Sequence, residues 1–240
     1  DLIFPHHENE IAQSESFTKE QFAKIWMHSG MITINGEKMS KSVGNVKSIN
    51  HVLDSWGPNV ARLFSISGHY SKPIDYTENL LKENLIRLRQ IETCYYELRL
   101  AEQQGVSEDI SSLLKETREK FDSALNDDFN TPLGLSVFFN MIKTINSLAA
   151  DEKITEDMAK QALPVLEYIL DVLGIKVQTV SDNEIKSIFE LINRRETLRS
   201  EKQFGEADMI RDEIAGLGIS LIDHKNKTLW MKKETIKAEK

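Results

Sequence analysis

A single cysteine, Cys94, stands in 240 residues. No intrachain disulfide can form, so the fold must be held by packing and hydrogen bonds, a pattern that fits a reducing compartment. No apolar run reads as long enough to cross a bilayer, and no signal-peptide pattern opens the chain. Both absences point to a soluble protein of the cytoplasm, away from membranes. Positive charge is in deficit as well. A formal net charge of -8 argues against a general nucleic-acid binder. The acidic excess is concentrated in residues 71–180, however, and both ends are near neutral, so local basic faces there could meet RNA. No internal repeat, low-complexity tract or glycine-rich strand-to-helix turn is present.

What is there divides into three stretches: residues 1–70, 71–180 and 181–240. In the first, residues 8–16 suggest a short helix and 22–30 a helix turning to strand. Residues 31–34 followed by Asn35-Gly36 have strand and turn character. Ser48 is an N-cap candidate for a helix through Ser55, Gly57-Pro58 breaks the chain, and residues 60–66 suit a packed helix. The middle stretch is helical. Leu81, Leu85, Leu88, Ile91, Tyr95 and Leu98 recur at three- and four-residue spacings. Ser107 is expected to cap a helix to about Leu125. Thr131-Pro132 should open the next, whose buried face carries Leu135, Phe138, Met141, Ile142, Ile145 and Leu148. Thr155 starts another helix, which Pro164 should kink or restart and Gly174 should end. Helices on a shared apolar core make a bundle. The last stretch opens on a Ser181/Glu184 capping box, with Ile188, Leu191, Ile192 and Leu198 on one face. A second helix over 204–215 follows, then two strands, 219–222 and 228–231, and a charged tail after Lys233 expected to be disordered.

Chemistry concentrates in residues 36–45, GEKMSKSVGN. Glycine lets backbone approach a ligand closely, and serine hydroxyls and lysine ammoniums suit phosphate oxygens. A solvated surface loop is the alternative for such a composition. A second candidate is His6 with Glu10, four apart and hence on one helix face, an imidazole and a carboxylate suited to Zn²⁺. His7 competes with His6 as the ligand. At the C-terminal end, Arg194, Arg195, Arg199, Lys202, Arg211 and Trp230 could form a face for unpaired bases, or a solvated helix face beside a buried Trp230. Asp127-Asp128-Phe129-Asn130 reads as turn chemistry before a capped helix, and His69 and Tyr70 could touch RNA or only pack.

Residues 38–42 read KMSKS, the second signature of class I aminoacyl-tRNA synthetases, and residues 4–13, FPHHENEIAQ, resemble the corresponding segment of cysteinyl-tRNA synthetases. The likeness continues through Trp26-Met27-His28-Ser29-Gly30, Ser67-Gly68-His69-Tyr70, Asp127-Asp128-Phe129-Asn130-Thr131-Pro132, Ala207-Asp208, Arg211-Asp212 and Trp230, almost the whole chain. It implies a mainly α chain: the C-terminal remnant of a class I α/β, Rossmann-like catalytic domain, then a helical bundle, then a small mixed α/β anticodon-binding domain with a charged tail. No HIGH-type sequence is found and Asp1 opens inside a motif, so the chain is expected to be the C-terminal portion of a longer protein and inactive alone. The resemblance implies one Zn²⁺ per subunit, held by His6, Glu10 and two cysteines from earlier sequence, selecting the thiol of substrate cysteine. It assigns ATP, with Mg²⁺, chiefly to Lys41, with Lys38, Ser40 and Ser42 as loop-shaping or accessory contacts, and places Trp26 and His28 near the site. It further implies cysteine and tRNA(Cys) as substrates and a monomer. Two alternatives remain open: the related ligase joining cysteine to an amino sugar in the mycothiol pathway, and a non-catalytic helical binding module.

Overall fold

The computed structural model describes residues 2–39, 44, 46–101, 108–223 and 228–239. A short helical turn (Ile3–His7) runs into α1 (Glu8–Thr18), which ends where Lys19 turns left-handed, φ 61°, and donates its N–H to the Glu15 carbonyl. No residue of either piece is buried. The helix turning to strand expected over 22–30 does not form, and the segment is irregular. Phe22, Ile25 and Met27 are 49%, 82% and 51% exposed, so these apolar residues meet no core that would hold a helical face.

A hairpin follows: β1 (Ile32–Ile34) and β2 (Glu37–Lys38) joined by Asn35 and Gly36 at φ 51° and 81°, the two left-handed residues that a tight hairpin turn needs. β3 (Ile74–Tyr76) pairs parallel to β1, giving the order β2-β1-β3. The Asp75 carboxylate clamps the turn, accepting from Thr33 Oγ1 at 2.6 Å and from the Gly36 N–H at 2.8 Å. Those bonds hold its pKa below the ordinary carboxylate value. Gly30 N–H donates to the Tyr70 carbonyl at 2.7 Å, and a Cβ at residue 30 would overlap the Lys72 carbonyl, so only glycine fits that approach.

Ser48 caps α2 (Ile49–Ile66), its hydroxyl accepting from the His51 N–H at 3.1 Å. The helix does not stop at Ser55. It bends at Gly57 (φ 76°, ψ 164°), immediately before Pro58, and resumes. The bundle consists of α3 (Glu78–Arg99), α4 (Ser111–Asn126), α5 (Thr131–Ala150) and α6 (Glu156–Leu173). The α3 stripe is wholly buried, and fully enclosed leucines and isoleucines such as Leu81, Leu88 and Ile91 contribute roughly 1.5–3 kcal/mol each. Ser107 lies outside the described residues, and α4 begins at Ser111, where Asp109 accepts from its N–H at 2.9 Å. The cap of α5 is Asn130 rather than Thr131: its Oδ1 accepts from the Leu133 N–H at 3.2 Å. By length and composition α5 alone among the described helices passes as long and apolar enough to cross a bilayer, a test that a buried core helix also passes. Here it buries Leu135, Phe138, Met141, Ile142 and Ile145 in the bundle. Thr155 caps α6, which passes Pro164 as one helix to the left-handed Gly174. Pro164 and Lys160 are both at the surface, so the carbonyl deprived of its bond is on the solvent side.

The Ser181/Glu184 capping box forms, opening α7 (Asp182–Ser200). Then come α8 (Phe204–Gly216) and the antiparallel pair β4 (Ile219–Asp223) and β5 (Thr228–Lys232). The tail is not disordered. Glu234 is hydrogen-bonded, Ile236 is 3% exposed, and a 3-10 turn (Lys237–Glu239) follows. One buried cluster runs from Ile34 to Ile236.

Candidate functional site

The start of α1 brings three potential ligands together. His6 Nε2 and Glu10 Oε1 are 3.2 Å apart, both half-exposed, and the donor atoms of His6, His7 and Glu10 all lie within 4.8 Å of one another. A tetrahedral Zn²⁺ with bonds of ~2.0–2.2 Å places its ligand atoms ~3.4 Å apart, so the His6–Glu10 separation fits a shared ion. Among the described residues no other group of three such side chains meets that spacing. His7 is not held away from the pair. Its Nδ1 is buried without a hydrogen-bond partner among the described residues, and so is His28 Nε2. The two rings are 5.0 Å apart, and the Trp26 ring lies 5.4 Å from His7 and 6.4 Å, nearly parallel, from His28. Trp26 is therefore half-buried in a histidine cluster rather than in the main core. A period-based reading of residues 6–10 has no means of pairing His7 with a residue 21 positions on.

Lys38 ends β2, exposed, its backbone in register with Thr33. Ser40, Lys41 and Ser42 lie outside the described residues. Cys94 is fully buried in α3, and burial pushes its thiol pKa up. Neither fact suits a metal ligand.

Tyr70 and His69 are engaged internally. The Tyr70 hydroxyl donates to Asp128 Oδ1 at 2.7 Å, which raises the tyrosine pKa, and His69 Nε2 faces Asp128 Oδ2 at 3.8 Å. Asp128 and Phe129 are both left-handed, at φ 50° and 51°, so the Asp127-to-Asn130 turn is a tight connector between α4 and α5.

The expected C-terminal face is altered in two places. Trp230 is fully buried, with Tyr96 and Phe189 rings 5.7 and 6.2 Å away, so no base can stack on it. Arg195 is 4% exposed and ion-paired with Glu196 at 2.8 Å. Arg194, Arg199, Lys202 and Arg211 remain exposed. An exposed aromatic in the same C-terminal stretch is Phe204, 60% exposed at the first position of α8, a residue that sequence reasoning treats as an ordinary part of its helix.

Two family models match: "tRNA synthetases class I (C) catalytic domain" over residues 1–85 and "DALR domain" over residues 120–178. Among curated relatives, the cysteine–tRNA ligase of Caldicellulosiruptor saccharolyticus is 37% identical over 93% of this chain and 49% of its own length. Those of Geobacillus sp. and Shewanella denitrificans are each 40% identical, over 96% and 97% of this chain and 50% of their own. The chain thus spans about half the length of the curated relatives it matches. A solved LeuRS-tRNA-LeuAMS complex of Agrobacterium radiobacter is a more distant likeness, with TM-score 0.47 and 17% identity over 61% of this chain and 22% of that one. By sequence, the chain is similar to cysteine–tRNA ligases along nearly its whole length and along about half of theirs.

Proposed function

We propose that this chain is a portion of a cysteine–tRNA ligase, which activates cysteine with ATP and Mg²⁺ to cysteinyl adenylate and transfers it to the 3′ end of tRNA(Cys). The observation that supports this best is the His6–Glu10 pair at the head of α1, on a chain 40% identical to a cysteine–tRNA ligase over half of that ligase's length. His6 and Glu10 would hold Zn²⁺ with further ligands from outside the described residues, and His7 is placed to contribute. When bound, the ion would favour the thiolate of cysteine over the harder, less acidic alcohol of serine. A site that demands one specific group can discriminate by roughly 10⁴-fold without editing.

Lys41, aided by Lys38, Ser40 and Ser42, has an electrostatic role in this reading. Carboxylate attack on the α-phosphorus of ATP expels pyrophosphate and builds negative charge on the phosphoryl oxygens, which a positioned ammonium stabilises. Residues 181–231 read the tRNA through Arg194, Arg199, Lys202 and Arg211, with Phe204 in the stacking role that the sequence suggests for Trp230.

The test is paired. In a full-length ligase carrying this sequence, Lys41→Ala should slow pyrophosphate exchange by about 10²–10³-fold with cysteine affinity little changed. Deleting residues 181–231 should reduce tRNA charging far more than cysteine activation. Normal turnover with weak cysteine binding in the first variant would overturn the role of Lys41. Equal loss of both activities in the second would overturn that of residues 181–231.

A further inference from the structure

We propose that Glu234 is a positioning residue: from beyond the end of β5 it latches the bend of α2 at Gly57. The C-terminal segment thereby sets the orientation of the half-helix 49–56, which follows the KMSKS segment in sequence. This goes beyond the function proposed above.

The bend needs external support. Gly57 is the residue at which α2 leaves helical dihedrals, and Pro58 beside it has no N–H to offer the helical ladder. Both halves bury apolar residues in the core, Val52 and Trp56 before the bend, Val60, Leu63 and Phe64 after it. Two residues past the bend is Asn59, 5% exposed and bonded to two distant segments. Its Nδ2 donates to Glu234 Oε2 at 2.7 Å and to the Lys176 carbonyl at 2.9 Å, while its Oδ1 accepts from the Lys176 N–H at 3.0 Å.

Glu234 is itself held on α3. Its N–H donates to Glu92 Oε1 at 3.2 Å, and Arg89 Nη2 donates to its carbonyl at 3.0 Å. Arg89 Nη1 also bridges to Glu92 Oε2 at 2.7 Å. The seat at Gly57 is shaped for the latch: a Cβ there would overlap Glu234 Oε1 and press on Ile236 Cδ1. The left-handed φ and the missing side chain thus serve one contact. A hinge is a few residues that absorb a dihedral change, and this one is bolted by a residue 175 positions from Asn59.

Hydrogen exchange of the 240-residue chain, followed peptide by peptide, tests this. Glu234→Ala should raise exchange across residues 49–57 by about tenfold or more, with amides in α5 and α6 changed by less than about twofold. Glu234→Gln, which keeps the acceptor oxygen, should behave like the parent. Asn59→Asp, which sets carboxylate against carboxylate at unchanged size, should reproduce the Glu234→Ala pattern. A uniform rise through α3 to α6 would reduce Glu234 to a contributor to global stability. Unchanged exchange at 49–57 in Glu234→Ala, or a Glu234→Gln variant indistinguishable from Glu234→Ala, would refute the latch.

Discussion

Two aromatic residues in the C-terminal segment differ in burial, Trp230 enclosed and Phe204 exposed, and one pair of substitutions tests what each does. Trp230 is fully enclosed between Tyr96 and Phe189. Truncation to alanine in such a site costs about 3–5 kcal/mol. Trp230→Phe is milder for a specific reason. It leaves a void where the pyrrole ring was, but it also removes an indole N–H that is buried without a hydrogen-bond partner among the described residues. Such a group carries a penalty of about 1–3 kcal/mol. The two effects oppose, so the net loss should stay within about 2 kcal/mol. Phe204 is 60% exposed, and Phe204→Ala should change stability by less than about 0.5 kcal/mol. If a base stacks on it, the same change removes about 1–3 kcal/mol of RNA affinity, roughly 5- to 150-fold. Urea unfolding of the chain gives the stabilities, and anisotropy titration with a labelled tRNA(Cys) anticodon stem-loop at fixed salt gives the affinities. The reasoning fails if Phe204→Ala binds RNA like the parent while Trp230→Phe, at parental stability, loses tenfold or more.

Metal content of a full-length ligase carrying this sequence should fall below about half on His6→Ala or Glu10→Ala at equal protein concentration, since a tetrahedral site stripped of one ligand holds Zn²⁺ weakly. Cys94→Ser should leave it unchanged, and a loss there would place the site elsewhere. The buried Cys94 thiol should resist a disulfide reagent in the folded chain and label only as the chain unfolds, which time-resolved thiol titration reads directly. Burial raises the pKa of Glu92 despite the Arg89 ion pair, and raises that of Glu234. A carboxylate whose folded pKa exceeds its unfolded value binds more protons when folded, so its contribution to stability falls as pH rises from the unfolded pKa through the raised one. Denaturation midpoints across about pH 4.5–7 should therefore show a steeper decline in the parent than in Glu92→Gln; parallel profiles would contradict the raised pKa.

How much of this was legible in the sequence depends on the distance over which each feature is decided. The α3 stripe from Leu81 to Leu98 was readable because a helix buries one face, and that periodicity sits within 22 residues. The Ser48, Thr155 and Ser181 caps and the Gly174 stop were readable for the same reason: each is settled within four residues. The His6–Glu10 spacing is likewise a property of one helical turn. The misses are non-local. Residues 22–30 have apolar content but no core within reach, so composition suggested a helix that packing does not supply. Trp230 stayed open between stacking and burial because nothing near it in sequence says that Tyr96, 134 positions earlier, covers it. The charged tail looked free because Lys and Glu dominate it, yet one buried isoleucine and one carboxylate accepted into a gap at Gly57 hold it down. That gap also explains Gly57-Pro58. Read locally it is a chain break, and in the structure it is a bend kept open for a partner from the opposite end of the chain, so the punctuation was visible while its purpose was not.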